Sequence, residues 1–129
     1  MERKILSVAS LLGMIAIILG AFGAHALKKV LSIEQLNTFE TGVKYQMYHA
    51  LFLLFVGTTS ALSDKAKKAI LSLVIVGVLF FSGSIYLLAT NDLTSFDFKV
   101  IGFVTPIGGL LLISSWIWLF VKKKKKGKH

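Results

Sequence analysis

Two histidines, one glutamine, one tyrosine and one threonine are the side chains whose placement could do chemistry in this chain. His25 and His49 could move a proton through a neutral-to-cationic switch, or ligate a metal or a haem iron. Gln46 precedes His49 by three residues and shares its helical face. Tyr86 and Thr105 add hydroxyls at corresponding depths of two further segments. Against these readings stands plain structural hydrogen bonding, in which polar groups placed in hydrocarbon tie helices together or anchor them at an interface. Two imidazoles without nearby carboxylates make a poor zinc site, so no metal centre and no cofactor is expected. No cysteine is present, which excludes a disulfide scaffold, a thiolate metal site and a cysteine nucleophile. Phosphate loops, Ser/His/Asp sets and paired carboxylates are missing too, so an enzyme is not expected.

The elements that must carry these residues follow from the charge pattern. Of 129 residues only 16% are charged and 55% are hydrophobic, whereas a soluble domain carries about 25% charged residues. The charges fall into five clusters, leaving charge-free windows at 5–27, 45–63, 69–91 and 100–121. A helix needs about 20 apolar residues to cross a hydrocarbon core of about 30 Å. The expectation is therefore an all-α integral membrane four-helix bundle, one domain over 1–121 with a basic tail at 122–129. Arg3 and Lys4 before an apolar run, with Ala24-His25-Ala26 behind it, imitate a cleavable signal. That run is longer than the usual 7–15 residues, which favours a retained span. Eleven basic residues on the side of the termini against four on the other predict cytoplasmic N- and C-termini.

Ser32 with Gln35 has the form of a capping box. Ile33, Leu36, Phe39 and Val43 recur at helical spacing, which predicts a short interfacial amphipathic helix over 33–44 running into the second span. Residues 91–97 read as a polar turn. Phe39, Tyr45, Tyr48, Trp116 and Trp118 read as interfacial belt anchors. Ala9, Gly13, Ala16, Gly20 and Ala24 form a small-residue line on the first span, Ala50, Gly57 and Ala61 on the second, Gly77 and Ser84 on the third, Gly102, Thr105 and Gly109 on the fourth. Small side chains let helices approach in lipid, so Gly13, Gly20, Gly23, Gly57, Gly83 and Gly109 are expected at packing seams. Pro106 is expected to kink the fourth helix, loosened further by Gly108 and Gly109. Counting along each helix puts His25, Gln46, His49, Tyr86 and Thr105 in one outer-leaflet layer. The run Lys122, Lys123, Lys124, Lys125 and Lys126 should attract anionic lipid; without interleaved aromatics it is not expected to bind nucleic acid.

Four strings carry a resemblance: GAFGAHAL at 20–27, FETGVKYQMYHAL at 39–51, FSGSIYLL at 81–88 and TPIGG at 105–109. Together they resemble the bacterial YgdD/YwdK-like family, domain of unknown function 423, to which eukaryotic transmembrane protein 256 is related. The resemblance spans nearly the whole chain and implies a small bacterial inner-membrane protein with four helices. The family's motifs fall on His25, Tyr45, Gln46, His49, Ser84, Tyr86, Thr105, Pro106, Gly108 and Gly109. It implies no activity, substrate or cofactor. The leading expectation is a non-enzymatic membrane component or accessory subunit, with a membrane protein partner or as a homo-oligomer. The alternatives are a small transporter or proton-linked carrier, and a haem- or quinone-binding redox subunit.

Overall fold

The computed structural model describes residues 1–93 and 101–124. It contains four long helices: α1 (Glu2–His25), α2 (Ile33–Thr58), α3 (Asp64–Ala89) and α4 (Val104–Lys122). The fold is an all-helical membrane bundle. α1 with the turn behind it (Glu2–Lys29), α3 and α4 are each long and apolar enough to cross a bilayer. α2 is long enough, with 26 residues or about 39 Å of rise, but it is the most polar of the four. The reason lies in its surroundings: it is packed on both sides, and Gln46 and His49 are among its buried residues.

The helices form two antiparallel hairpins, α1/α2 and α3/α4, joined along α2 and α3. On the first seam Gly23 meets Phe39, Gly20 meets Val43, Gly13 meets Ala50 and Gly57 meets Ile5. The line on α1 thus runs Ala9, Gly13, Ala16, Gly20, Gly23; Ala24 is exposed, because the 3.6-residue period brings Gly23 onto that face instead. On the α3/α4 seam Gly77 faces Leu112, and Gly108 lies against the backbone of Phe80 and Phe81. Gly109 makes only ordinary contact with the Phe81 ring, and Gly83 faces open space. The expectation that Gly83 packs is therefore corrected.

Several boundaries shift. The 33–44 segment is not a separate helix lying along the surface; it is the first part of a continuous α2. No breaker separates it from the second span, and Leu36, Phe39 and Val43 pack with Leu19, Leu27 and Tyr86 rather than with lipid. Ile33 is 79% exposed and drops out of that stripe. The Ser32/Gln35 capping box is present, with Gln35 N–H donating to Ser32 Oγ at 3.1 Å and Ser32 N–H to Gln35 Oε1 at 2.9 Å. α3 begins at Asp64, capped by Ser63, not at residue 69. Pro106 is the third residue of α4. The first four N–H groups of a helix have no intrahelical partner, so proline there removes no bond and introduces no kink. Part of the predicted 91–97 turn, the first residue of the predicted fourth span, and Lys125 and Lys126 lie outside the described residues.

The larger apolar core occupies the end that carries both termini. Ile5, Leu53, Val56, Ile70 and Val74 are fully buried there, with Phe52, Leu71 and Leu112 around them. A smaller cluster of Leu27, Leu31, Phe39 and Ala89 closes the opposite end. At the first end Lys67 is buried, donating to the carbonyl of Gly57 at 3.3 Å and lying 3.7 Å from Glu2. Its ammonium thereby caps a carbonyl near the C-terminus of α2, where a cation is favoured.

Candidate functional site

Between the two apolar clusters α2 presents Gly42, Gln46 and His49, spaced so that all are buried. Gly42 has no side chain, so Tyr86 of α3 can lie against its backbone; a Cβ there would come within 2.7 Å of the Tyr86 ring. That close approach delivers the phenol to Gln46. Tyr86 O–H donates to Gln46 Oε1 at 2.7 Å, and Gln46 Nε2 donates to the carbonyl of Leu12 on α1 at 2.9 Å. One amide therefore links three helices. Ser82 adds a second α2/α3 tie, donating to the Gly42 carbonyl at 2.7 Å.

His49 faces the other way, toward α4. Trp116 Nε1–H donates to His49 Nε2 at 3.0 Å, and His49 Nδ1 lies 2.7 Å from the Tyr45 carbonyl. Indole nitrogen is a donor only. Nε2 must therefore accept, which places the ring proton on Nδ1, where it donates to Tyr45. His49 is thus a neutral imidazole with both nitrogens committed. Trp116 is further fixed by stacking on Phe52, ring centroids 4.1 Å apart.

The structure brings Gln46 and Tyr86 together and sets His49 on the adjacent part of α2 with different partners. Thr105 joins Ser84 instead: their hydroxyls hydrogen-bond across the α3/α4 seam. His25 joins nothing. It is exposed at the end of α1, and its side chain has no hydrogen-bond partner among the described residues. The contacts of the α1/α2 seam put His25 about eleven residues beyond the level of His49 on α1, or about 16 Å along the axis. The single polar layer is thus corrected to a network around Gln46, His49 and Tyr86, a separate Ser84–Thr105 pair, and an isolated His25.

Sequence reasoning missed the roles of Ser82, Gly42 and Trp116. Trp116 and Phe39 are not simple belt anchors: one holds His49, and the other is buried against Gly23 and Tyr86. A signal for the serines was available in the run Ser82-Gly83-Ser84 within an otherwise apolar helix. There α3 takes one wide π turn, Leu79–Gly83. Such turns recur at functional positions. Ser82 and Ser84, two residues apart and so on opposite sides of the helix, face α2 and α4 respectively. Beside Trp116, an open groove of about 720 Å³ runs between α2 and α4, lined by Tyr45, Tyr48, His49, Phe52, Phe55 and Trp116 among others. Among the described residues no group of three His, Cys, Asp or Glu is placed to hold a metal ion.

The family described as "Protein of unknown function (DUF423)" matches residues 19–109, which include all of α2, all of α3 and the first turns of α4. The chain belongs to the DUF423 family. Its curated relatives are named UPF0382 membrane proteins. A UPF0382 membrane protein of Staphylococcus haemolyticus is 41% identical over 106 residues, covering 82% of this chain and 83% of that one. The UPF0382 membrane protein YwdK of Bacillus subtilis is 37% identical, covering 87% of this chain and 89% of its own. The UPF0382 inner membrane protein YgdD of Escherichia coli is 34% identical, covering 98% and 95%. No solved structure matches. This DUF423 protein is thus a small membrane protein; Gln46, His49 and Tyr86 fall within the matched residues, while their partners Leu12 and Trp116 lie outside them.

Proposed function

We propose that this DUF423 protein is a non-enzymatic component of the bacterial inner membrane, an accessory subunit that packs with another membrane protein. In this reading α2 is the fourth span and both termini are cytoplasmic. One observation carries it: Gln46 and His49, the side chains best suited to bind or transfer, are each committed on both sides to partners inside the bundle. A transport or ligation site needs polar atoms left free for its cargo, whereas a structural network uses them up. The name of the E. coli relative places that protein in the inner membrane, and the lysine bias supports the orientation.

Co-purification in a mild detergent tests the role. A stoichiometric membrane protein partner is expected, and a clean monomer would sink the reading. Proton or solute flux into liposomes that is abolished by His49→Ala would replace it with a carrier. A Soret band in the purified protein would replace it with a haem protein. Orientation is tested with single cysteines, since the chain has none of its own. Cys at position 30 should react with an impermeant maleimide in intact spheroplasts, and Cys at position 60 only after lysis.

A further inference from the structure

Antiparallel packing of α3 and α4 brings the first turn of one beside the last turn of the other. Between them lies a notch of about 160 Å³, lined by Ser63, Lys65, Ala66, Ala69, Trp118 and Lys122. Two small side chains, Ala66 and Ala69, give it depth. Lys65 and Lys122 line it from the two helices, one on each. The Lys122 ammonium lies 5.3 Å from the centre of the Trp118 ring, a cation–π contact that holds it at the rim. Among the described residues neither lysine has an ion pair. Asp64, beside Lys65 in the chain, forms none either; the ion pair at this end is Lys67 with Glu2. The Ser63 hydroxyl is already engaged, accepting from Ala66 N–H at 3.2 Å. Among the described residues, two lysines thus line one small concavity and neither is ion-paired, the nearest carboxylate along the chain being Asp64.

Size limits what could pair with them. At about 30 Å³ per water the notch holds about five waters' worth of space, enough for one phosphate group with its first glycerol carbon, and too little for a nucleotide. Position limits it further. Lys65, Trp118 and Lys122 stand where a helix leaves hydrocarbon, the level of lipid headgroups. From Lys65 the same face of α3 continues through Ala69 and Ser72, whose hydroxyl is satisfied by the Lys68 carbonyl at 3.1 Å, to Val76, 40% exposed, and Leu79, 64% exposed, a mainly apolar track leading away from the notch.

We propose that this notch is a headgroup site for one anionic phospholipid. Lys65 and Lys122 bracket the phosphate, the Trp118 indole forms a wall, and the acyl chains lie along Ala69, Val76 and Leu79. The site differs from diffuse attraction to the lysine tail, because it needs shape as well as charge, and it stands independently of the accessory-subunit reading.

The test uses the full-length protein in detergent, with phosphatidylglycerol binding measured by native mass spectrometry against phosphatidylcholine. Lys65→Gln and Lys122→Gln should each weaken phosphatidylglycerol binding about fivefold, and the pair about twenty-fivefold, at about one such factor per basic residue. Ala69→Leu keeps every charge but fills the notch, and should weaken binding as much as the double variant. The control Lys124→Gln/Lys125→Gln/Lys126→Gln should change it by less than about twofold. A tail control that loses as much as the notch variants, or an Ala69→Leu variant that binds normally, would overturn the proposal in favour of non-specific attraction. Binding of soluble glycerol 3-phosphate as tight as that of the lipid would overturn the choice of lipid. Trp fluorescence and thermal unfolding of each variant verify that these surface changes leave the bundle folded.

Discussion

Gly108 and Gly83 offer a paired test of how the second hairpin is assembled. Both are glycines within helices, and replacing either by alanine should return about 0.5–1 kcal/mol of helix propensity. Their surroundings differ. A Cβ at Gly108 would lie 2.7 Å from the Phe80 carbonyl carbon and closer still to the Phe81 amide nitrogen. Those atoms belong to the backbone of the wide turn in α3 and cannot rotate aside. At Gly83 nothing lies within 4 Å of the added atom. Subtracting one variant from the other cancels the propensity gain and leaves the overpacking alone. Forcing extra atoms into a close-packed seam costs about 1–3 kcal/mol, and backbone contact puts Gly108 at the upper end, so the two should differ by about 2–3 kcal/mol. Reversible unfolding by titration with a denaturing detergent, followed by Trp116 and Trp118 fluorescence, reads this directly. Gly83→Ala should be as stable as the parent or slightly more so, and Gly108→Ala clearly less. Equal midpoints would show that α4 does not approach α3 at Gly108, and the account of the hairpin would fail.

Four further outcomes are expected from the same geometry. Nitrogen-15 NMR of imidazole-labelled protein should show His49 as the neutral Nδ1–H tautomer; a proton on Nε2 would contradict the Trp116 bond. A double-mutant cycle between Gln46→Leu and Tyr86→Phe should return a coupling of about 0.6 kcal/mol, at most about 1.7, the range for interhelical hydrogen bonds in membranes; independent effects would remove the three-helix tie. Cysteines at positions 20 and 43 should form a disulfide on mild oxidation, because a Cβ at Gly20 would sit 3.5 Å from Val43, whereas cysteines at 25 and 49 should not be joined even by a short cross-linker. Glu2→Gln should change stability by less than about 1 kcal/mol, since that carboxylate is 62% exposed and screened. Lys67→Met should cost about 1–3 kcal/mol through the carbonyl it leaves unpaired, and similar losses for both would reverse the reading of that corner.

Burial accounts for which expectations held. The helical class and the lysine-rich end could be read because charge is excluded from hydrocarbon, and that exclusion acts on each segment separately. The Ser32/Gln35 cap was legible for the same reason: its partners are three residues apart. The amphipathic stripe at 33–44 was recognised as helical and misplaced, because periodicity says that a face is apolar without saying whether lipid or another helix covers it. Depth counting takes residue 45 as the outer end of the second span, whereas α2 begins at Ile33. His49 therefore lies mid-helix, about 16 Å along the axis from His25, and only the packed structure reveals that difference in height.

Local chemistry along the chain thus determined the helices, their approximate ends, their membrane setting and the short list of polar side chains inside them. The tertiary structure decided which of those side chains meet. It turned Gln46 toward Leu12 and Tyr86 and gave His49 to Trp116. It made Gly42 and Gly108 points of closest approach while leaving Gly83 open, and it drew two lysines from different helices around one notch. The physical reason is that exclusion of charge from hydrocarbon acts on every residue alone, whereas a hydrogen bond or a packed glycine requires two helices to arrive at the same place with the same rotation.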